Sequence, residues 1–361
     1  MKINRRIKSI LINSAVPLLF LIISALAIPI AQYSGSFLFR EIITRLTRNS
    51  FLVLSLLLPV MAGMGINFGM ILGAMAGQVG IVFVTEWGIT GAGGLTLAAL
   101  VGTPVAILLG WFAGNVLNRA KGREMITSMI FGMFIAGVYQ FFMLYLCGTI
   151  IPFKNPLLIL SHGYGVRNAI NLDVKGGFDN LFMLWVNRIP IPLGTFAIIG
   201  VLCLVTAWLR KTKLGQDMRA VGQDNDISES SGINVEKTRV LSVIISTVIA
   251  CYGQIIYLQN VGTLNTYNGA DQAALFAAAS LLVGGATVSR ATVPNAIVGT
   301  ALFHLMFIIM PIAGKNLTGQ AMLGEYFRMF ISYGVITIAL ALHAWSRKKN
   351  AEGARIERMS E

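Results

Sequence analysis

Reactive side chains are scarce in this sequence, and those present do not fall into a catalytic spacing. Cys147, Cys203 and Cys251 stand apart inside apolar segments, with neither metal-ligand spacing nor a pairing framework, and read as small packing residues. No HExxH, GxSxG or Cys–His arrangement occurs, and the 15 carboxylates are dispersed, which argues against an enzyme. His162 has no cysteine or second histidine beside it and reads as a surface residue. His304, within an apolar run, reads as a donor facing other helices. The string from Gly63 to Gly69 lacks GxGxxG spacing, and no GxxxxGK[ST] occurs, Gly314-Lys315 lacking the glycine and hydroxyl that would complete it. If ATP is used, another chain binds it.

What remains is hydrogen-bonding chemistry. Asn67, Thr103, Thr127 and Asn260 sit in or beside apolar runs and could offer amide or hydroxyl groups to a hydroxylated solute, with Gly69 leaving room beside Asn67. Glu86 and the pair Asp271-Gln272 are ionisable or polar groups at the margins of such runs, a placement that suits an outer vestibule or contact with an external partner. The longest polar stretch is Leu214 to Arg239, between two apolar segments each long enough to cross a bilayer. Within it Asp224 or Asp226 can cap a short helix through Ile227 to Ser231, and Gly232 can stop that helix in the left-handed conformation. The expected result is a compact helical knob that moves as a body with the segments it joins.

The elements that must position these groups follow from composition. The chain has 361 residues, of which 55% are hydrophobic and only 12% charged, about half the charge of a soluble domain. It is an all-α polytopic membrane protein on this reading. The net charge of +13 does not imply nucleic acid, because the basic residues occupy short segments between apolar runs. Ten spans are expected, at 10–32, 51–74, 76–91, 93–116, 124–147, 189–209, 239–261, 272–289, 293–313 and 326–346. The first resembles a leader with small residues at Ala25 to Ala27, but its apolar run continues to Ala31 and reads as a span. With both termini in the cytoplasm, most of the 28 basic residues fall on the inner side. Arg40, Arg45 and Arg48 then lie outside, on a predicted amphipathic helix in the outer interface.

Gly65, Gly69, Gly73 and Gly77 recur every four residues and predict one bare face on the second span, for close helix packing. Residues 148–188 form an external insert, an ordered loop or short helices suited to a partner or to covering a pore mouth. Spans 2–5 and 7–10 enter from opposite sides, as two inverted repeats would, with spans 1 and 6 as additions.

The polar stretch closely resembles the cytoplasmic coupling loop (here 210–239) of the binding-protein-dependent ABC importer permeases for ribose-like sugars, nucleosides and branched-chain amino acids. Gly215, Arg219, Ala220, Val221, Gly222, Ser231, Gly232, Ile233 and Asn234 carry the likeness, and Asp226 is assigned with them to the coupling loop. A second block resembles the family through Gly284, Gly285, Gly299 and Thr300, and GINFGMILGAMAG is a weaker third. Two departures, Asn67-Phe68-Gly69 and Ser289-Arg290, fall where solute contacts are expected and bear on the substrate.

The resemblance implies a transmembrane permease domain over 1–346 with a basic cytoplasmic tail at 347–361, in a bacterial inner membrane. It further implies a second permease subunit, cytoplasmic ATPases that hold ATP and magnesium, and an external solute-binding protein. A monosaccharide or nucleoside is the expected cargo, moved by alternating access, with no cofactor on this chain. The alternative is an ion-coupled secondary transporter, which needs a carboxylate deep in the bundle, whereas Glu86 and Asp271 are peripheral.

Overall fold

The computed structural model describes residues 2–160, 165–172, 177–186 and 189–330, with isolated positions as far as 341; for residues 2–15 only the backbone is described. His162, most of the span expected at 326–346 and the tail at 347–361 lie outside the described residues. The chain groups into two compact units, residues 35–277 and residues 1–34 with the chain from 278 onward.

The larger unit is built around one long helix. Its helices are α2 (Gly35–Ser55), α3 (Leu57–Met61), α4 (Ile71–Glu86), α5 (Gly91–Arg119), α6 (Glu124–Phe141), α7 (Phe178–Leu181), α8 (Leu193–Leu209), α9 (Lys213–Gln223), α10 (Asn225–Ser230) and α11 (Val235–Val261). α11 packs against α2, α4 and α5. It can do so closely because its neighbours turn glycines toward it. A methyl group at Gly73 or Gly77 of α4 would come within 2.2 Å of Thr247 O or 2.6 Å of Cys251 O, and Gly110 and Gly114 of α5 meet Ile244 and Val240 in the same way. In a lipid-facing bundle, where apolar burial drives little, such backbone approach supplies the packing energy.

The second expected span is corrected here. The chain does not run as one helix through 51–74: it leaves α3 after Met61, turns through Ala62 to Asn67, and restarts as a single 3-10 turn, Phe68–Met70, before α4. Gly65 takes φ +71° within that turn, a conformation open to glycine but strained for other residues. The stripe of four glycines therefore splits. Gly65 serves the turn, Gly69 lies beside the Asn67 side chain in the 3-10 turn, and only Gly73 and Gly77 face a helix. Arg40, Arg45 and Arg48 likewise do not lie on a separate interfacial helix; they occupy the first half of the continuous span Gly35–Met61. Arg45 pairs with Glu41 four residues earlier, and the Arg48 guanidinium lies over the Tyr257 ring at 5.3 Å from its centre.

At the C-terminal end of α11 the insert forms a cover. Two antiparallel pairs, β1 (Ala169–Asn171) with β4 (Thr263–Asn265) and β2 (Met183–Val186) with β3 (Ile189–Pro192), flank α7. The insert holds the short helix α7 and loop segments, as expected, and adds strands that were not; β3 takes the first residues of the predicted sixth span, whose helix begins at Leu193. Glu86 ties the cover down. Its carboxylate accepts the backbone N–H groups of Lys154 (2.6 Å) and Asn155 (3.1 Å).

The smaller unit packs α1 (Lys2–Ala31) against α13 (Val293–Thr318). α12 (Ala273–Val283) begins in the larger unit, ends in this one and stops at the Gly284-Gly285 pair. Gly284 and Gly299 allow the two segments to meet backbone to backbone, since a methyl group on either would lie 1.9 Å from a carbonyl oxygen of the other segment. His304 is buried against Phe303 and Phe307.

Among the described residues, six helices are long and apolar enough to cross a membrane, or seven if the bent pair α8–α9 is one span. Val16–Ala31 and Ala273–Val283 are shorter apolar helices. The chain is a multi-pass helical membrane protein.

Candidate functional site

The polar run opens with a sharp corner. α8 and α9 meet at 70°, and Gly215 sits inside the bend, where a methyl group would lie 2.0 Å from Leu209 O. Thr212 caps α9 by accepting the Gly215 N–H at 3.4 Å. α9 is amphipathic: Gly215, Met218 and Val221 are buried, while Gln216, Arg219 and Gln223 are exposed. Met218 packs with Leu58, Met61 and Ala62 at the end of α3. Next to it Gly222 meets the turn after α3 directly. A methyl group there would lie 2.2 Å from Met61 O, and one on Gly63 would lie 2.8 Å from Gly222 Cα.

The knob follows. Asp224, rather than Asp226, caps α10, its Oδ1 accepting the Asp226 and Ile227 N–H groups at 2.9 and 3.1 Å. The helix closes when Gly232, at φ +82°, donates to Glu229 O and Ile233 donates to Ser228 O, a paired C-terminal cap. Ser231 is exposed, and its hydroxyl donates back to Ile227 O. Ile227 projects from the knob with 66% of its surface exposed. Asn234 then starts α11 by accepting the Lys237 N–H at 2.9 Å. So Asn234 and Gly232 hold backbone geometry, while Arg219, Ile227 and Asp226 are presented outward.

Two ties fix the start of α11 to the bundle. The buried Arg239 guanidinium pairs with Glu124 at the head of α6, and the Asn118 amide donates to Glu236 O at 2.9 Å. Neither is visible as a motif, because the partners lie more than a hundred residues apart. Between the α5–α6 turn and the knob lies a cleft of about 620 Å³, lined among others by Lys121, Asp226, Glu229 and Glu236.

The residues expected along a solute path do not converge. Asn67 is buried at the break after α3, where its Oδ1 accepts the Gly69 N–H at 2.9 Å. Thr103 meets the Tyr252 hydroxyl at 2.9 Å, across the α5–α11 contact. Thr127 is half-buried near the start of α6. Asn260 donates to Asp179 at 3.1 Å, in a cluster with Gln259 and Thr195 under the cover. Asp271 and Gln272 are exposed on the loop before α12. Burial of part of its side chain raises the Asp271 pKa above the usual aspartate range. Among the described residues no group of three metal-binding side chains occurs.

Residues 38–340 match the family described as the permease component of the branched-chain amino acid transport system. The chain belongs to this family. Its similar relatives include the autoinducer 2 import system permease protein LsrD of Escherichia coli O157:H7, 24% identical over 253 residues. The LsrD protein of Yersinia pestis (strain Pestoides F) is 25% identical over the same length. Each alignment takes in 68% of this permease and 66% of the relative. No solved structure matches the chain. The relatives are thus permease proteins of import systems, and the polar run of this chain lies inside the matched region.

Proposed function

We propose that this chain is the transmembrane permease subunit of an ATP-driven importer, carrying a small polar solute inward by alternating access. Monosaccharides and nucleosides are the favoured cargo. Cytoplasmic ATPases, holding ATP and magnesium, dock on α9 and α10; a second permease subunit completes the path; an external binding protein delivers the solute to the face bearing the β-strand cover. Both termini are cytoplasmic on this reading.

The observation that carries it is the seating of α9 and α10. α9 exposes Arg219 and rests through Gly222 and Met218 on α3, and the knob that follows it is capped at both ends, exposes Ile227 and leads into α11. A push on the knob therefore reaches two spans through rigid contacts. Arg219 is suited to a bidentate bond with a carboxylate of the ATPase.

The test is Arg219→Glu in the reconstituted transporter. ATP hydrolysis should continue while uptake of labelled D-ribose or uridine falls, with insertion unchanged. Uptake at the unmodified rate would remove Arg219 from the coupling path.

A further inference from the structure

The α4–α11 contact contains two glutamines that the path residues above do not include. Gln78 of α4 and Gln254 of α11 are both fully buried, at 0% exposure. Fully buried amides in a membrane bundle normally find partners, because hydrocarbon offers none. Here Gln254 Nε2 donates to Gly269 O at 3.3 Å, near the long limit for such a bond. Gln254 Oε1 and both side-chain polar atoms of Gln78 have no partner among the described residues. Gly269 lies against the pair, since a methyl group on it would come to 2.6 Å from Gln78 Nε2.

Gly269 belongs to the loop between β4 and α12, and that loop is held at its other side by the cover. The Tyr267 hydroxyl donates to Val166 O at 2.6 Å, and the Thr266 hydroxyl donates to Arg167 O at 2.7 Å. Two and three residues beyond Gly269, Asp271 and Gln272 are exposed. One face of the loop thus covers unsatisfied amides while another is open to an approaching partner.

We propose that Gln78 and Gln254 form an occluded binding site for a neutral, polyhydroxylated solute, with the loop 266–272 as its lid and the Gly269 carbonyl standing where a solute hydroxyl binds. Two carboxamides offer both donors and acceptors, which matches hydroxyl groups that do both. Neither amide carries a charge to offset the burial of a carboxylate or ammonium, so charged solutes are disfavoured. This rests on the importer reading for its direction of transport, and it deepens that reading by assigning the contact residues.

The test uses the full transporter in right-side-out vesicles, with Cys147, Cys203 and Cys251 replaced by alanine and Gln78→Cys as reporter. A membrane-impermeant maleimide should label this thiol slowly. Tyr267→Phe, which removes one lid hydrogen bond and leaves the packing intact, should speed labelling about tenfold. The reporter removes one of the two amides, so D-ribose or uridine is supplied well above a KM raised about tenfold. Either should then slow labelling again through Gln254, and acetate should not. In the cysteine-containing protein, Gln78→Leu and Gln254→Leu should each raise the KM for the transported probe about tenfold. Labelling indifferent to Tyr267→Phe, slowed as much by acetate as by the neutral probes, or slowed by neither, overturns the proposal. Absence of solute-stimulated ATP hydrolysis in the unmodified complex refutes the importer reading instead, and the labelling arm still judges the lid.

Discussion

Asp224→Ala should weaken coupling without touching any apolar contact. The Asp224 carboxylate satisfies two of the backbone N–H groups at the start of α10, and the helix is only six residues long. An isolated helix of that length does not hold itself together, so its caps and its anchoring at both ends carry its order. Losing an N-cap side chain costs about 1 kcal/mol, which lowers the population of the formed knob relative to frayed states about fivefold. The affinity for a partner that recognises only the formed knob falls by the same factor wherever the frayed state predominates. Hydrogen exchange of the amides at 225–231 should accelerate about fivefold, and half-saturation by the purified ATPase should rise in proportion. Asp224→Asn keeps the cap and removes the charge, so it should behave as the unmodified protein. If Asn and Ala variants are equally impaired, charge rather than the cap is responsible and the reasoning fails. If neither exchanges faster, the knob owes its order to something other than this cap.

Three further outcomes follow from contacts described above. Glu124→Ala leaves Arg239 charged and buried, at 7% side-chain exposure, and should cost about 3 kcal/mol, read as a lower Tm; the double variant Glu124→Leu, Arg239→Met should recover much of that loss. Gly73→Val places a side chain where Thr247 O lies 2.2 Å from the first added carbon, so α4 and α11 must separate and protease-resistant protein in the membrane should disappear. Because burial raises the Asp271 pKa, the folded loop binds a proton more tightly than the unfolded chain does. That contribution to stability is complete below the ordinary aspartate range and is lost as pH rises through the raised value. Exchange at 266–272 should therefore slow as pH falls through that window, after correction for intrinsic rates, and Asp271→Asn should abolish the dependence.

The parts of this molecule legible from sequence are those encoded locally. A cap, a glycine stop and a polar run sit within ten residues at α10, so the knob could be read residue by residue. The break after Met61 could not, because residues on both sides of it are apolar and glycines at 65, 69, 73 and 77 imitate a helical stripe. Its signals were present: Gly65 in a positive-φ turn and Asn67 two residues before Gly69, a local capping geometry. Apolar periodicity outweighed them. The strand pairs of the cover, the Arg239–Glu124 tie and the meeting of Asn260 with Asp179 join residues far apart in the chain, and nothing in local spacing announces them. Gln78 and Gln254 were hidden for the same reason, each looking like an isolated polar residue until α4 and α11 were brought together.

The contact of Gly222 with Met61 and Gly63 is main chain against main chain. Its tightness owes nothing to the identity of any bulky side chain, so the exterior of α9 and α10 is free to be retailored without loosening the joint beneath. On the proposed docking of an ATPase at this surface, exchange of Arg219 or Ile227 for other residues would refit the protein to a different motor while the joint kept its dimensions. If that docking holds, a permease built this way can change the engine it answers to faster than the way it moves.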